Sequence, residues 1–215
     1  MSEGRTLNIG IYVFDDMEVL DFAGPFEVFM TASRLYMRAF GGEGDASQAA
    51  PPFAVFTIAD TRRLIRARGA LSLQPHFVIA NRPPIDVFIV PGGIVNAEMA
   101  RPEIIAWIAE TARAATVTAS VCTGAFLLAQ AGLLRGKPAT THWEDIPDLA
   151  AQFPNVDVKA GVRWVDTGDI VTGAGISAGI DMSLHLVARL AGESLAVKTA
   201  RQMDFDWQRT EEDRK

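Results

Sequence analysis

The chain has 215 residues, 49% hydrophobic and 21% charged, the balance of a globular domain large enough to bury one sizeable core. Asp and Glu outnumber Lys and Arg by 26 to 20, giving a net charge of −6 with no basic run, which argues against electrostatic binding of nucleic acid. No stretch nears the roughly 20 apolar residues that span a bilayer, the N-terminus lacks a secretory pattern, and a single cysteine excludes an intrachain disulfide or a cysteine-based metal cluster. The expectation is a cytoplasmic protein held together by packing, with no membrane partner.

Residues 7–14, LNIGIYVF, lack a polar face, as suits a strand buried on both sides of a parallel sheet. The turn Asp15 to Asp21 then leads into AGPFEVFMTASRLYM (23–37), where Pro25 suits a first helical turn and Phe26, Phe29 and Met30 recur at helical spacing. The Gly/Ala/Pro-rich stretch 41–52 predicts a mobile loop, followed by a second strand, FAVFTIAD (53–60). Next come a short ribbon within 64–77, a buried strand in IDVFIVPGG (85–93) broken at Pro91-Gly92-Gly93, and a proline-led helix over 102–113. TVTASVC (116–122) is again strand-like, and TGAFLLAQAGLL (123–134) predicts a helix stopped near Arg135-Gly136-Lys137-Pro138. Beyond PATTHW (138–143) lie a helix over 144–152, strands near VKAG, VRWVDTG and DIVTGAG, and a helix from about 178 to 191. The charged tail, 204–215, should fray.

No period of 20–50 residues repeats, which argues against a solenoid. The alternation predicts one α/β domain over 1–215, with a doubly wound, mostly parallel central sheet flanked by helices. In such sheets ligands gather beyond the carboxyl ends of the strands. Three turns fall there: 15–21, 91–93 and 122–124.

Ser120-Val121-Cys122-Thr123-Gly124 places a thiol where a buried strand gives way to a helix, the local logic of a strained nucleophile elbow. Unpaired N–H groups and the dipole of the following helix favour thiolate, with a pKa below the usual ~8.5. The bland alternative is a small buried hydrophobe, which is what most free cysteines are. Asp21 likewise has a bland reading as a carboxylate at a helix start. The sequence holds neither a dinucleotide nor a P-loop motif, and its three scattered histidines have no metal-ligand spacing, so neither cofactor nor metal is expected.

SVCTGAFLLAQAGLLRGKPATTHW (120–143), with VPGG (90–93) upstream and GAGISAGIDMSLHL (173–186) downstream, resembles the DJ-1/PfpI superfamily and within it the isonitrile hydratase branch, over about residues 7–192. The resemblance implies a flavodoxin-like sandwich, a homodimer, and hydration of a small-molecule isonitrile to an N-substituted formamide through a cysteine thioimidate. Residue by residue, it makes Cys122 the nucleophile and Thr123 the threonine that follows it. Asp21 becomes the acidic neighbour acting as general acid and base, and Gly93 pairs with Thr123 as an oxyanion-hole-like set of N–H donors. Gly93, Gly92, Gly175, Ile176 and His142 are the substrate-binding candidates, and Phe22 and Trp143 would add apolar lining. His142 has an alternative reading as a ring held by backbone hydrogen bonds.

The sequence departs from that branch at Ile94-Val95-Asn96, where the hydratases tend to carry a Thr-Gly pair, and at Ala174, where a glycine is usual, so a narrower pocket is expected. Thr123 stands where the protease-like members have histidine, which removes the main support for a peptidase. His76 and His185 read as structural, and Asp15, Asp16 and Glu18 as solvated surface charge. Two other readings stand beside the hydratase. One is a ligand-sensing domain like that preceding the helix-turn-helix module of AraC-like regulators; the other is a DJ-1 or glyoxalase-type protein acting on aldehydes, against which Asp21 in place of a glutamate argues.

Overall fold

The computed structural model describes residues 5–40 and 50–209. Most of the loop predicted over 41–52, and the last residues of the tail, lie outside them. The strands are β1 (Leu7–Tyr12), β2 (Phe53–Ala59), β3 (Ile65–Arg66), β4 (Ser72–Leu73), β5 (Phe77–Val78), β6 (Val87–Val90), β7 (Val117–Val121), β8 (Pro138–Ala139), β9 (Asp157–Val158), β10 (Trp164–Asp166) and β11 (Ile170–Gly173). The helices are α1 (Val19–Phe40), α2 (Asn96–Met99), α3 (Pro102–Ala114), α4 (Gly124–Gln130), α5 (Ile146–Gln152), α6 (Ala178–Ala191) and α7 (Glu193–Gln202).

Seven strands form the central sheet in the order β10-β11-β7-β6-β1-β2-β5, parallel throughout except where β10 runs antiparallel to β11. Every residue of β6 and β7 is buried, which explains why their sequences show no polar face. Helices α1, α6 and α7 pack together as one group and α2, α3 and α4 as another, so the sheet is flanked as the alternation predicted. After β1 the chain moves outward to β2 and then returns to β6 on the other side of β1. This reversal is the topological switch point, and the turns following β1 and β6 meet at its carboxyl end.

Several elements differ from their sequence expectation. Helix α1 begins at Val19, so Pro25 lies inside it rather than in its first turn. Having no N–H, Pro25 leaves the Asp21 carbonyl without its usual helical donor. Helix α4 ends at Gln130, and the residues up to Gly136 form turns in which Gly132 and Gly136 take positive φ, at 77° and 70°. Helix α7 was not expected, and it buries Leu195, Ala196, Thr199 and Ala200. Nor do residues 204–209 fray: Phe205 and Trp207 pack against the core, and Trp207 Nε1 and the Gln208 amide donate to Asp181.

Gly124 shows how tightly α4 abuts β6. A Cβ there would lie far inside van der Waals contact of the Val90 carbonyl oxygen and crowd the Pro91 backbone, neither of which can swing aside. Gly124→Ala is expected to lower stability by about 2–3 kcal/mol, because overpacking against backbone outweighs the ~1 kcal/mol that alanine gains over glycine in a helix. Urea unfolding gives the check; a neutral effect would mean that α4 and β6 are not in close contact.

Candidate active site

At the end of β7 the chain turns sharply. Cys122 adopts φ 56°, in the left-handed region that a residue with a Cβ disfavours. Its N–H is shared between the carbonyls of Gly173 and Ala174, each at 3.1 Å, and its own carbonyl accepts the Thr141 hydroxyl at 2.9 Å. These contacts hold the thiol at the start of α4 with Cys122 only 7% exposed, so the strained elbow is observed.

The carboxylate arrives from the opposite side of the switch point. Met17 and Gly93 form an isolated antiparallel bridge, the Glu18 N–H donates to Gly92 O at 2.9 Å, and the Ile94 N–H donates to Asp16 O at 3.0 Å. Gly93 needs to be glycine, since its φ is 131° and a Cβ would collide with the backbone of residues 16–18. Clamped in this way, the turn brings Asp21 into the first turn of α1 with no solvent exposure. Asp21 Oδ2 accepts the Gly92 N–H at 3.0 Å. Oδ1 is buried without an ordinary hydrogen bond, and the Cys122 thiol bears on the carboxyl as a weak donor.

Burial, aided by the charge of Glu18, lifts the Asp21 pKa to about 7 against the pull of the Gly92 amide and the thiol. Burial and the negative charge of Asp21 push the Cys122 thiol up to about 12, while the Thr123 N–H pulls the other way. The expectation of a depressed thiol pKa is therefore corrected: desolvation and a facing carboxylate outweigh the end of a short helix. Near neutral pH the pair holds a protonated thiol beside a carboxyl whose proton exchange is moved up into that range.

The oxyanion-hole expectation is corrected as well. The Gly93 N–H donates to Thr123 Oγ1 at 2.8 Å, and that hydroxyl donates to Gly93 O at 2.9 Å, so this amide is already engaged. Thr123 ties the 91–93 turn to the elbow through its side chain and offers its own N–H to the sulfur.

Two clefts adjoin the elbow. One, of about 230 Å³, is lined by Thr141, His142, Trp143, Arg163, Gly175 and Ile176 among others. The other, of about 570 Å³, is lined by Gly93, Ile94, Thr123, Phe126, Asp145 and Gln152 among others. The fold thus gathers Asp21, Gly92, Gly93, Cys122 and Thr123 at the switch point, and places His142, Gly175 and Ile176 together in the smaller cleft. Phe22 does not line either cleft and belongs to the core, whereas Trp143 is 74% exposed at the smaller cleft's wall.

Among the described residues no backbone hydrogen bond to the His142 ring is seen; its Nδ1 lies 3.4 Å from Asp145 Oδ2 and 3.8 Å from Glu144 Oε2. Its ring lies so close to Gly175 that a Cβ there would overlap it. Gly175→Ala is expected to displace the imidazole and open its pair with Asp145, read as a shift of the His142 ring resonances; unshifted resonances would contradict the contact. His76 is structural, bonded to Thr57 Oγ1 at 2.8 Å and stacked on Phe26, and His185 pairs with Asp166 at 2.6 Å. Asp15 and Glu18 are paired with Arg63 and Arg68 rather than merely solvated. Thr141, Asp145 and Arg163 reach the site without having been singled out in the sequence, since nothing local marks them.

Sheet order, flanking helices and an elbow at the switch point define a flavodoxin-like α/β protein whose distinctive chemistry is a buried thiol–carboxyl pair. The chain belongs to the DJ-1/PfpI family, whose profile matches residues 8–189. Isonitrile hydratase of Pseudomonas putida is 32% identical to it, over 93% of this chain and 78% of that protein. The HTH-type transcriptional regulator GbdR of Pseudomonas aeruginosa is 27% identical over 96% of this chain, which spans about half (53%) of that regulator's length. Among solved structures, a ThiJ/PfpI family protein from Pseudomonas syringae superposes with a TM-score of 0.78 at 26% identity, covering 94% of this chain and 76% of that one. Drosophila melanogaster DJ-1beta, at 16% identity and a TM-score of 0.76 over 94% of this chain and all (100%) of its own, shares the fold. Among the described residues no helix is long and apolar enough to cross a membrane.

Proposed function

We propose that this protein is an isonitrile hydratase in which Cys122 is the covalent nucleophile and Asp21 carries the proton. The observation that supports this most is the facing pair itself: a neutral thiol, and a buried carboxyl whose pKa of about 7 suits it to take up and return a proton near neutrality. The terminal carbon of R–N≡C is electrophilic and unhindered. As the sulfur attacks it, the Asp21 carboxylate takes the thiol proton and delivers it to that carbon, leaving the thioimidate Cys122–S–CH=N–R. Asp21, a carboxylate again, removes a proton from water as the oxygen attacks the thioimidate carbon and passes that proton to the nitrogen, giving the adduct Cys122–S–CH(OH)–NH–R and regenerating the carboxylate. Collapse of the tetrahedral adduct breaks the C–S bond, releases HC(=O)–NH–R and returns a proton to the sulfur. The sum is R–N≡C plus water, without an external cofactor.

The Thr123 N–H is placed to stabilise charge on the sulfur, and the Gly92 N–H holds the Asp21 carboxyl in place. Gly175, Ile176 and His142 shape the smaller cleft in which the R group is proposed to sit. By the resemblance to the DJ-1/PfpI family the protein is proposed to act as a homodimer. A second reading, a ligand-sensing domain, draws on the similarity to GbdR along 96% of the chain. Incubating the wild-type protein with cyclohexyl isocyanide separates the two: catalytic formation of N-cyclohexylformamide supports the hydratase, while saturable binding without turnover transfers the weight to sensing.

A further inference from the structure

Arg163, just before β10, touches the active-site elbow's support at both ends. Its carbonyl accepts the Ala174 N–H at 2.9 Å. Its guanidinium donates to Asp181 Oδ2, through Nε at 2.8 Å and through a second, shorter bond from Nη2, and lies 3.4 Å from Ser177 Oγ. Residues 174 and 177 are therefore fastened to one side chain and its own backbone. The stretch between them matters to the thiol, since the carbonyls of Gly173 and Ala174 take the Cys122 N–H, and Ile176, at φ 44°, walls the smaller cleft.

Asp181, in the first turn of α6, is fully buried. A carboxylate withdrawn from water needs partners on both oxygens. Arg163 satisfies Oδ2; on the other side the Gln208 N–H donates to Oδ1 at 2.8 Å, and Trp207 Nε1 donates to the Asp181 carbonyl at 3.2 Å. An exposed ion pair between the same residue types would do little, but here the planar fork is immobilised and transmits its position to what it touches. Phe205 and Trp207, packed on the core, fix the segment that supplies these donors.

We propose that Arg163 is a positioning residue for Cys122: anchored on Asp181 and the 205–208 segment, it pins residues 174–177 and so keeps the nucleophile's backbone in its left-handed turn. The inference rests on Cys122 being the reactive group and is independent of which substrate it attacks.

Cys122 is the chain's single cysteine, so alkylation of the folded protein by iodoacetamide reports on it alone. In Arg163→Lys an ammonium still neutralises Asp181 but does not reach both Asp181 and Ser177. The thermal midpoint should stay near wild type while Cys122 alkylates about tenfold faster, because the loosened stretch opens locally more often. In the double variant Arg163→Met with Asp181→Asn no charge is left buried alone, so the midpoint should again be near wild type with alkylation still fast. A purely structural role would move midpoint and alkylation together. Wild-type alkylation in Arg163→Lys, or full recovery of protection in the double variant, would overturn the assignment; if the lysine variant does not fold, the double variant decides. Since alkylation is read without substrate, absence of formamide from the wild type would refute the hydratase and leave this result standing.

Discussion

Cys122→Ala is expected to form no formamide above the uncatalysed background while remaining folded. Loss of the sulfur removes the atom to which the isonitrile carbon is proposed to bond, and no other thiol exists in the chain to replace it. The fall in turnover should be at least about 10³-fold, the scale seen when a covalent nucleophile is deleted and only binding and polar stabilisation remain. Stability should change by about 1 kcal/mol, since one small buried atom is lost and alanine meets the left-handed backbone no worse than cysteine does. Turnover and urea unfolding measured on one preparation provide the check. Activity at the wild-type level would end the covalent scheme; loss of the fold would mean that the thiol is principally a packing group.

Asp21→Asn is the second. The amide oxygen can still accept the Gly92 N–H, so the turn should hold, but the group proposed to shuttle the proton is gone. Turnover is expected to drop by about 10²–10⁴-fold with substrate binding largely kept. In the wild type, kcat/KM should rise with pH through about 7, as the carboxylate form appears, and that limb should vanish in the variant. Stability should show the same group with the opposite sign. The folded pKa of Asp21, about 7, lies above the ~3.9 of an unfolded aspartate. Between these values the native state binds more protons than the unfolded one, and stability falls as pH rises. The penalty is absent below about pH 4 and complete above about pH 7. The asparagine variant should therefore gain stability over wild type at pH 8, on the order of a few kcal/mol, and lose that advantage near pH 4. Parallel pH dependence of the two proteins would remove the raised pKa from the account.

Much of the fold was legible because its signals are local. Apolar runs without a polar face marked β1, β6 and β7, and proline at the start of α3 marked its first turn. Pro25 misled for an instructive reason: proline at a helix start and proline one turn deeper look alike in sequence, and what begins α1 early is the clamp between residues 16–18 and 92–94. Helix α7 was missed because its buried face is built from small residues and one leucine among charges, which gives little apolar contrast. At the site, Cys122 and Asp21 were readable from the elbow and the resemblance. Their pKa values were not, because burial is supplied by elements distant in sequence. Nor could the sequence show that the Thr123 hydroxyl engages the Gly93 amide, since that depends on one side-chain rotamer.

The left-handed turn at Cys122 bears on how this position would drift. Glycine enters that region of backbone space freely, whereas any residue with a Cβ is disfavoured there by roughly 1–2 kcal/mol. If folding were all that selection acted on, glycine would be the resident that random substitution finds and keeps. Among the described residues Asp16, Ala70, Ile176 and Asp204 bear the same cost, and what sets Cys122 apart is the buried carboxyl that faces it; under the proposed function the strain at this turn is the cost of holding a nucleophile there.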